Sequence, residues 1–73
     1  MVEVPIRTET ISLDALLKWA GAAQTGGEAK RLIQHGQIQV NGRPERRRSH
    51  RVGPGDTVTM PDGKKMVIVR QPG

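Results

Sequence analysis

Twelve basic side chains stand against seven acidic ones in this chain of 73 residues, and the basic ones are not evenly spread. Five of the arginines, Arg43, Arg46, Arg47, Arg48 and Arg51, fall within the stretch NGRPERRRSHRVGPGD, from Asn41 to Asp56. Lys30 and Arg31 lie a short way upstream, and Lys18 further still. Guanidinium groups hold phosphate through paired hydrogen bonds and stack on planar bases. The chemistry these residues offer is therefore anion recognition, with phosphate the best match. Catalysis finds much less support. There is no cysteine, so thiol nucleophiles and thiolate metal sites are excluded. His35 and His50 are far apart and lack ligand spacing; one reads as a helix-end residue and the other as part of the basic run. Asp56 follows Gly-Pro-Gly and reads as a turn-stabilising carboxylate. The Gly26-Gly27 pair lacks the spacing and the Lys-Ser/Thr ending of a nucleotide-binding loop. The sequence implies a non-enzymatic protein and no cofactor.

A formal charge of +5 and a sequence pI near 10.8 are the electrostatic footprint of a nucleic-acid binder. The chain has one Trp and no Phe or Tyr, so it lacks the row of aromatics on which successive bases stack in single-strand binders. Phosphate and shape recognition on a structured or double-stranded RNA is the expected mode. Three other readings compete. The arginines could dock an acidic protein partner, bind DNA, or form a solvated edge that blocks sheet-to-sheet pairing. A targeting address is the weaker reading, because the run lies between two turn-forming elements rather than on a tail. No apolar run approaches the length of a membrane span, and the N-terminus lacks a basic leader followed by an apolar segment. A cytoplasmic, monomeric protein with no membrane partner is expected.

The side chains must be positioned by a small aliphatic core, because ~60 residues bury only about 60% of their unfolded surface. VEVPI reads as a short strand with Pro5 at a sheet edge. In SLDALLKWAG, Ser12 is a candidate N-cap. Leu13, Leu16, Leu17 and Ala20 share one helical face, Gly21 ends the helix, and Lys18 projects off that face. TGGEAKRLIQHG reads as a second helix, with Thr25 and Glu28 at capping-box spacing and Gly36 as the stop. Ala29, Leu32 and Ile33 form its apolar stripe, leaving Lys30 and Arg31 outside it. Gly26 and Gly27 in its first turn cost roughly 1 kcal/mol each relative to Ala. Close approach of another backbone, or of a phosphate, would account for them. QIQV then alternates and meets Asn41-Gly42, a hairpin signal. Pro54-Gly55 suits a type II turn, Val58 and Met60 alternate, Asp62-Gly63 marks a further hairpin, and MVIV is the last strand. The fold class is α+β: two packed helices against a small, mostly antiparallel sheet. One domain over 1–73 is expected, with 1–10 a short N-terminal strand and 71–73 a flexible tail.

With those residues placed, the stretch from Ile11 to Val58 resembles the RNA-binding domain named after ribosomal protein S four. The most specific part is EAKRLIQHGQIQVNG, followed at the expected distance by GPGD. The resemblance implies the αL motif, with RNA bound across helix two and the adjoining hairpin. It also points to the small stand-alone bacterial members with a TGG helix start and an Arg-rich loop. Its implied contact set is Thr25, Lys30, Arg31, Asn41 and Gly42, with Gly55 and Asp56 as the closing turn. The pattern departs at Gly26, where many members carry Arg; Arg46 to Arg48 are placed to supply that charge. The full expected RNA surface is Lys18, Thr25, Gly26, Lys30, Arg31, Asn41, Arg43, Arg46, Arg47, Arg48 and Arg51. The expected partner is structured RNA, ribosomal or transfer, within a ribosome or RNA-processing complex.

Overall fold

The computed structural model describes residues 1–72. Two helices, α1 (Leu13–Trp19) and α2 (Gly26–Gln34), lie among seven strands. The strands are β1 (Val2–Ile6), β2 (Ile11–Ser12), β3 (Gln39–Val40), β4 (Arg43–Pro44), β5 (Arg51–Val52), β6 (Thr57–Thr59) and β7 (Lys65–Arg70). Five strands form one sheet in the order β1-β7-β6-β3-β4, and β2 pairs with β5 in a separate ribbon. All pairings are antiparallel except that of β1 with β7, which is parallel. The α+β expectation holds. The β2–β5 ribbon was not expected from the pattern, since two residues are too few to show a period.

Alternation sets which side chains enter the core. Val4 and Ile6 of β1 point inward, as do Met66 and Ile68 of β7, where the register matches Val4 with Ile68. Leu13, Leu16 and Leu17 of α1 are fully buried, with Ala29 and Ile33 of α2 and Ile38 before β3. Leu32 is only half-buried, packed at the rim of this cluster. Among the described residues no polar or charged residue is buried. The core is thus apolar throughout, and among the described residues the charged side chains lie outside it.

The turns follow their residues. Asn41 and Gly42 both adopt positive φ, 52° and 83°, the geometry of a two-residue hairpin turn that matches strand twist. Gly55 sits at φ 95°, and the amide of Asp56 donates to the carbonyl of Gly53 at 3.0 Å, closing the Pro-Gly turn. The last hairpin differs from the simple Asp-Gly pair. Asp62 keeps negative φ, and Gly63 donates to the carbonyl of Met60, so Pro61 takes the first central place of the turn. Gln71 adds one more bond to the sheet, its amide donating to the carbonyl of Ile6. Of the tail expected over 71–73, Gly73 lies outside the described residues.

Candidate nucleic-acid interface

The two turn motifs that flank the arginine run are each other's partners. The Asn41 side-chain amide donates to Asp56 Oδ1 at 3.1 Å, while its Oδ1 accepts from the amide of Thr57 at 2.9 Å. Asp56 Oδ2 accepts from the amide of Gly53 at 2.8 Å. The main chain of Asn41 adds a bond to the carbonyl of Thr57. Both polar atoms of the Asn41 side chain thus hold the corner, and one amide hydrogen is left over. Asn and Asp, fifteen residues apart, pin the hairpin turn to the Pro-Gly turn. The loop between them must then leave and return at fixed points.

That loop is anchored again in its middle. The amide of Leu13 donates to the carbonyl of His50 at 2.9 Å, and that of Asp14 to the carbonyl of Arg48 at 3.1 Å. These are two of the amides that a helix start leaves without partners inside the helix. Ser12 stands at the N-cap position as expected, but its hydroxyl makes no capping bond: the loop takes the amides of Leu13 and Asp14, and Asp14 Oδ1 accepts from the amide of Ala15 at 2.8 Å. β5 then pairs with β2, and Arg51 Nε donates to Thr10 Oγ1 at 3.2 Å. Arg46 folds the other way. Its Nε lies 3.0 Å from where a Cβ would stand on Gly36, the positive-φ residue that ends α2. A guanidinium at a helix C-terminus sits where the helix dipole favours positive charge. The arginine loop therefore bridges the start of α1 and the end of α2, and is not simply alongside α2.

The start of α2 is built differently. Thr25 Oγ1 accepts from the amide of Glu28 at 3.1 Å, half of the capping box. No protein atom stands within 4 Å of a Cβ placed on Gly26, and only the Thr25 hydroxyl, at 3.9 Å, approaches one placed on Gly27. The first explanation for the glycine pair, close approach of another backbone, is thereby excluded within the chain. Gly27 continues into a shallow concavity of about 320 Å³ lined by Lys30, Arg31, Gln34 and His35. A second cleft, of about 460 Å³, is lined by Val40, Asn41, Arg43, Pro44, Glu45 and His50.

The structure thus brings Lys30 and Arg31 onto one face of α2, joins Arg46 to that helix's end, and sets Arg43 in the hairpin cleft. Arg47 and Arg48 are exposed on the loop. Lys18 lies elsewhere, in an apolar depression with Ile11, Ala15 and Trp19. Among the described residues the ion pairs are His50–Glu45 at 3.4 Å and Lys64–Asp62 at 3.9 Å, so no arginine is matched to a carboxylate. Glu45 is the residue that pattern reading passed over. Its Oε1 is buried and has no hydrogen-bond partner, although His50 Nδ1 stands at ion-pair distance. The available signal was its isolation, as the one acid inside the arginine run.

Comparison with known proteins agrees with this geometry. A family model described as the S4 domain matches residues 4–69. The small ribosomal subunit protein uS4 of an Anaeromyxobacter species is 36% identical over 63 residues, covering 86% of this chain and 30% of that protein. Mitochondrial uS4m of Schizosaccharomyces pombe is 42% identical over 48 residues, 66% of this chain and 15% of that protein. The chain thus spans about a third or less of the ribosomal proteins it matches. A Bacillus subtilis protein named "Probable ribosome maturation protein RlbA" is 38% identical over 55 residues, 75% of this chain and 78% of that protein. The family match runs from β1 to β7 and takes in both helices and both pinned turns; the chain belongs to the S4 domain family.

Proposed function

We propose that this chain is a non-enzymatic binder of structured RNA, ribosomal or transfer, that works in the cytoplasm as a monomer in ribosome assembly or RNA processing. The observation that carries this reading is the unmatched arginine loop. Arg46, Arg47 and Arg48 sit on a backbone tied to α1, and no carboxylate neutralises any of them. A solvated edge needs charge but not a fixed backbone; a phosphate-reading surface needs both. Lys30 and Arg31 on α2, Arg43 on β4 and Arg51 on β5 extend the surface. Thr25, Gly26 and Asn41 shape its margins, and Lys18 is its outermost member. This is the αL arrangement, read with helix two and the hairpin as the RNA-facing elements. The likeness to RlbA over most of that protein's length favours a role on maturing ribosomes.

The test is a salt titration of binding to a structured RNA, with the wild-type chain and with Arg46→Ala, Arg47→Ala and Arg48→Ala combined. Each phosphate contact contributes about 0.7–0.9 to the slope of log K against log salt. The triple variant should therefore lose about 2–3 from the slope and on the order of a hundredfold in affinity at moderate salt. Its fold should persist, because the loop's bonds to α1 come from main-chain carbonyls. Unchanged affinity and slope, with the fold intact, return the loop to the solvated-edge reading.

A further inference from the structure

The chain's single aromatic side chain takes no part in the core or in the arginine loop. Trp19, the last residue of α1, is 57% exposed, a fraction exceeded among the large apolar side chains described only by Met1 and Val2 at the N-terminus. Its ring is nonetheless held: Nε1 donates to the carbonyl of Pro5 at 2.7 Å. A single exposed apolar residue is ordinary by itself, but one whose ring is pinned between two depressions is pre-organised for contact. Two shallow depressions flank the indole. One, of about 350 Å³, is lined by Ile6, Arg7, Thr8, Ile11 and Trp19. The other, of about 410 Å³, is lined by Ile11, Ala15, Lys18 and Trp19. Together they form an apolar strip with a cation at each side and no acid in its lining.

Several of the strip's hydrogen-bonding groups are already engaged. The Thr8 hydroxyl donates to the carbonyl of Thr10, Arg7 Nε donates to Gln71 Oε1, and the indole N–H is taken by Pro5. A nucleobase seated here would stack on the indole, and its edges would meet chiefly the remaining donors of Arg7 and Lys18. Apolar side chains suit the depressions better, and acidic residues beside them suit Arg7 and Lys18. The strip is built from the end of β1, β2 and α1, and β1 lies at the opposite edge of the five-stranded sheet from β4 and its hairpin. Four strand spacings separate those edges, about 19 Å at ~4.8 Å per spacing. RNA confined to the hairpin and α2 leaves β1 free, while the arginine loop itself is held on β2 and α1.

We infer that the Trp19 strip is a second docking surface, which holds an acidic segment of a protein partner through two or more apolar anchors while RNA occupies the arginine loop. The chain would then join a structured RNA to a protein. Simultaneous binding of RNA rests on the proposed RNA reading, whereas the apolar docking does not; Lys18, the outermost member of the RNA surface, borders both.

The test places a photo-crosslinking amino acid at Ala15 in the full chain, in cells. Crosslinked material is treated with nuclease, and the attached peptide is sequenced. The expected product is one protein segment rich in Asp and Glu with interspersed Leu, Ile or Phe. A synthetic copy of that segment should shift the emission of Trp19, the sole aromatic fluorophore, to the blue. Arg7→Glu should weaken its binding at least tenfold and Trp19→Ala should abolish it, both with RNA affinity unchanged. If Trp19→Ala fails to fold, Arg7→Glu decides alone. Crosslinks to RNA, to a second copy of the chain or to a segment poor in acids overturn the inference, as does no crosslink at all. So does quenching of Trp19 emission by saturating RNA, which would make the indole a base-stacking site.

Discussion

The two helices begin in opposite ways. α1 starts closed: the loop carbonyls of Arg48 and His50 take the amides of Asp14 and Leu13. α2 starts open: Thr25 serves one amide, and no distant part of the protein comes within 4 Å of a Cβ placed on Gly26. A helix start offers free amides and the positive end of a dipole, and both attract anions. At α1 that capacity is used inside the molecule, to hold the arginine loop in place. At α2 it faces outward beside Lys30 and Arg31. One start thus serves as an anchor for the ligand surface and the other as part of it. Both helices carry a hydroxyl residue at the cap position but only Thr25 uses it, because at α1 the loop takes two amides and the Asp14 carboxylate takes that of Ala15.

The closed start depends on the corner that returns the loop, so the severest way to break the contrast is to release that corner. Asp56→Ala removes the acceptor of the half-buried Gly53 amide and one partner of Asn41. Leaving such a group unpaired costs about 1–3 kcal/mol. At roughly 4–8 °C per kcal/mol for a domain of this size, the melting temperature should fall by about 10 °C. Amide exchange at Leu13 and Asp14 should speed up with it. A variant that melts within about 2 °C of wild type would show that the loop holds its place without the corner.

Next in size is the open start's own cap. Thr25→Ala deletes the bond from Glu28 and should cost about 1 kcal/mol, read by denaturant unfolding. An unchanged midpoint would mean that water serves the Glu28 amide equally well. Gly26→Ala sharpens the contrast by separating stability from binding. Nothing in the protein obstructs the added methyl, and the residue does not require positive φ. The free protein should gain about 0.5–1 kcal/mol, since glycine is the weaker helix former. RNA affinity should nevertheless fall severalfold, because the methyl occupies the approach to the open amides. A variant that gains stability and binds RNA as tightly as wild type would leave the glycine pair without a ligand-based reason.

The parts of this architecture that were legible in the sequence are those written by local rules. The leucine stripe of α1, the turn pairs Asn41-Gly42 and Pro54-Gly55, and the Gly21 and Gly36 stops each depend on a few adjacent residues. The pinning of Asn41 to Asp56 depends on two turns that meet only in space, so each motif was readable while their bond was not. The β2–β5 ribbon is two residues deep and carries no period. The closed start of α1 was hidden for a related reason: carbonyls of Arg48 and His50 do the capping, and any residue type supplies a carbonyl. For the candidate site, the arginines were visible as a cluster. Which helix ends they bridge followed from the backbone, as did the separation of Lys18 into the depression beside Trp19.

The smallest expected effect isolates that backbone capping most cleanly. At Ser12 the sequence offers an N-cap residue of a preferred type, and replacing such a cap with Ala ordinarily costs about 0.5–2 kcal/mol. Here the hydroxyl makes no capping bond, while Leu13 and Asp14 already donate to the loop. Ser12→Ala should therefore change stability by less than about 0.5 kcal/mol, as surface substitutions without a special role do. Set beside Thr25→Ala in the same unfolding experiment, it compares two cap positions within one chain. Equal losses at the two sites would mean that the Ser12 hydroxyl competes with the loop carbonyls for the α1 amides. The arginine loop would then be held less firmly at α1 than its two main-chain bonds imply, and Ser12→Ala should tighten that hold and change RNA affinity too. A loss at Thr25 alone places the capping of α1 in the loop backbone, where substitutions of the arginine side chains cannot reach it.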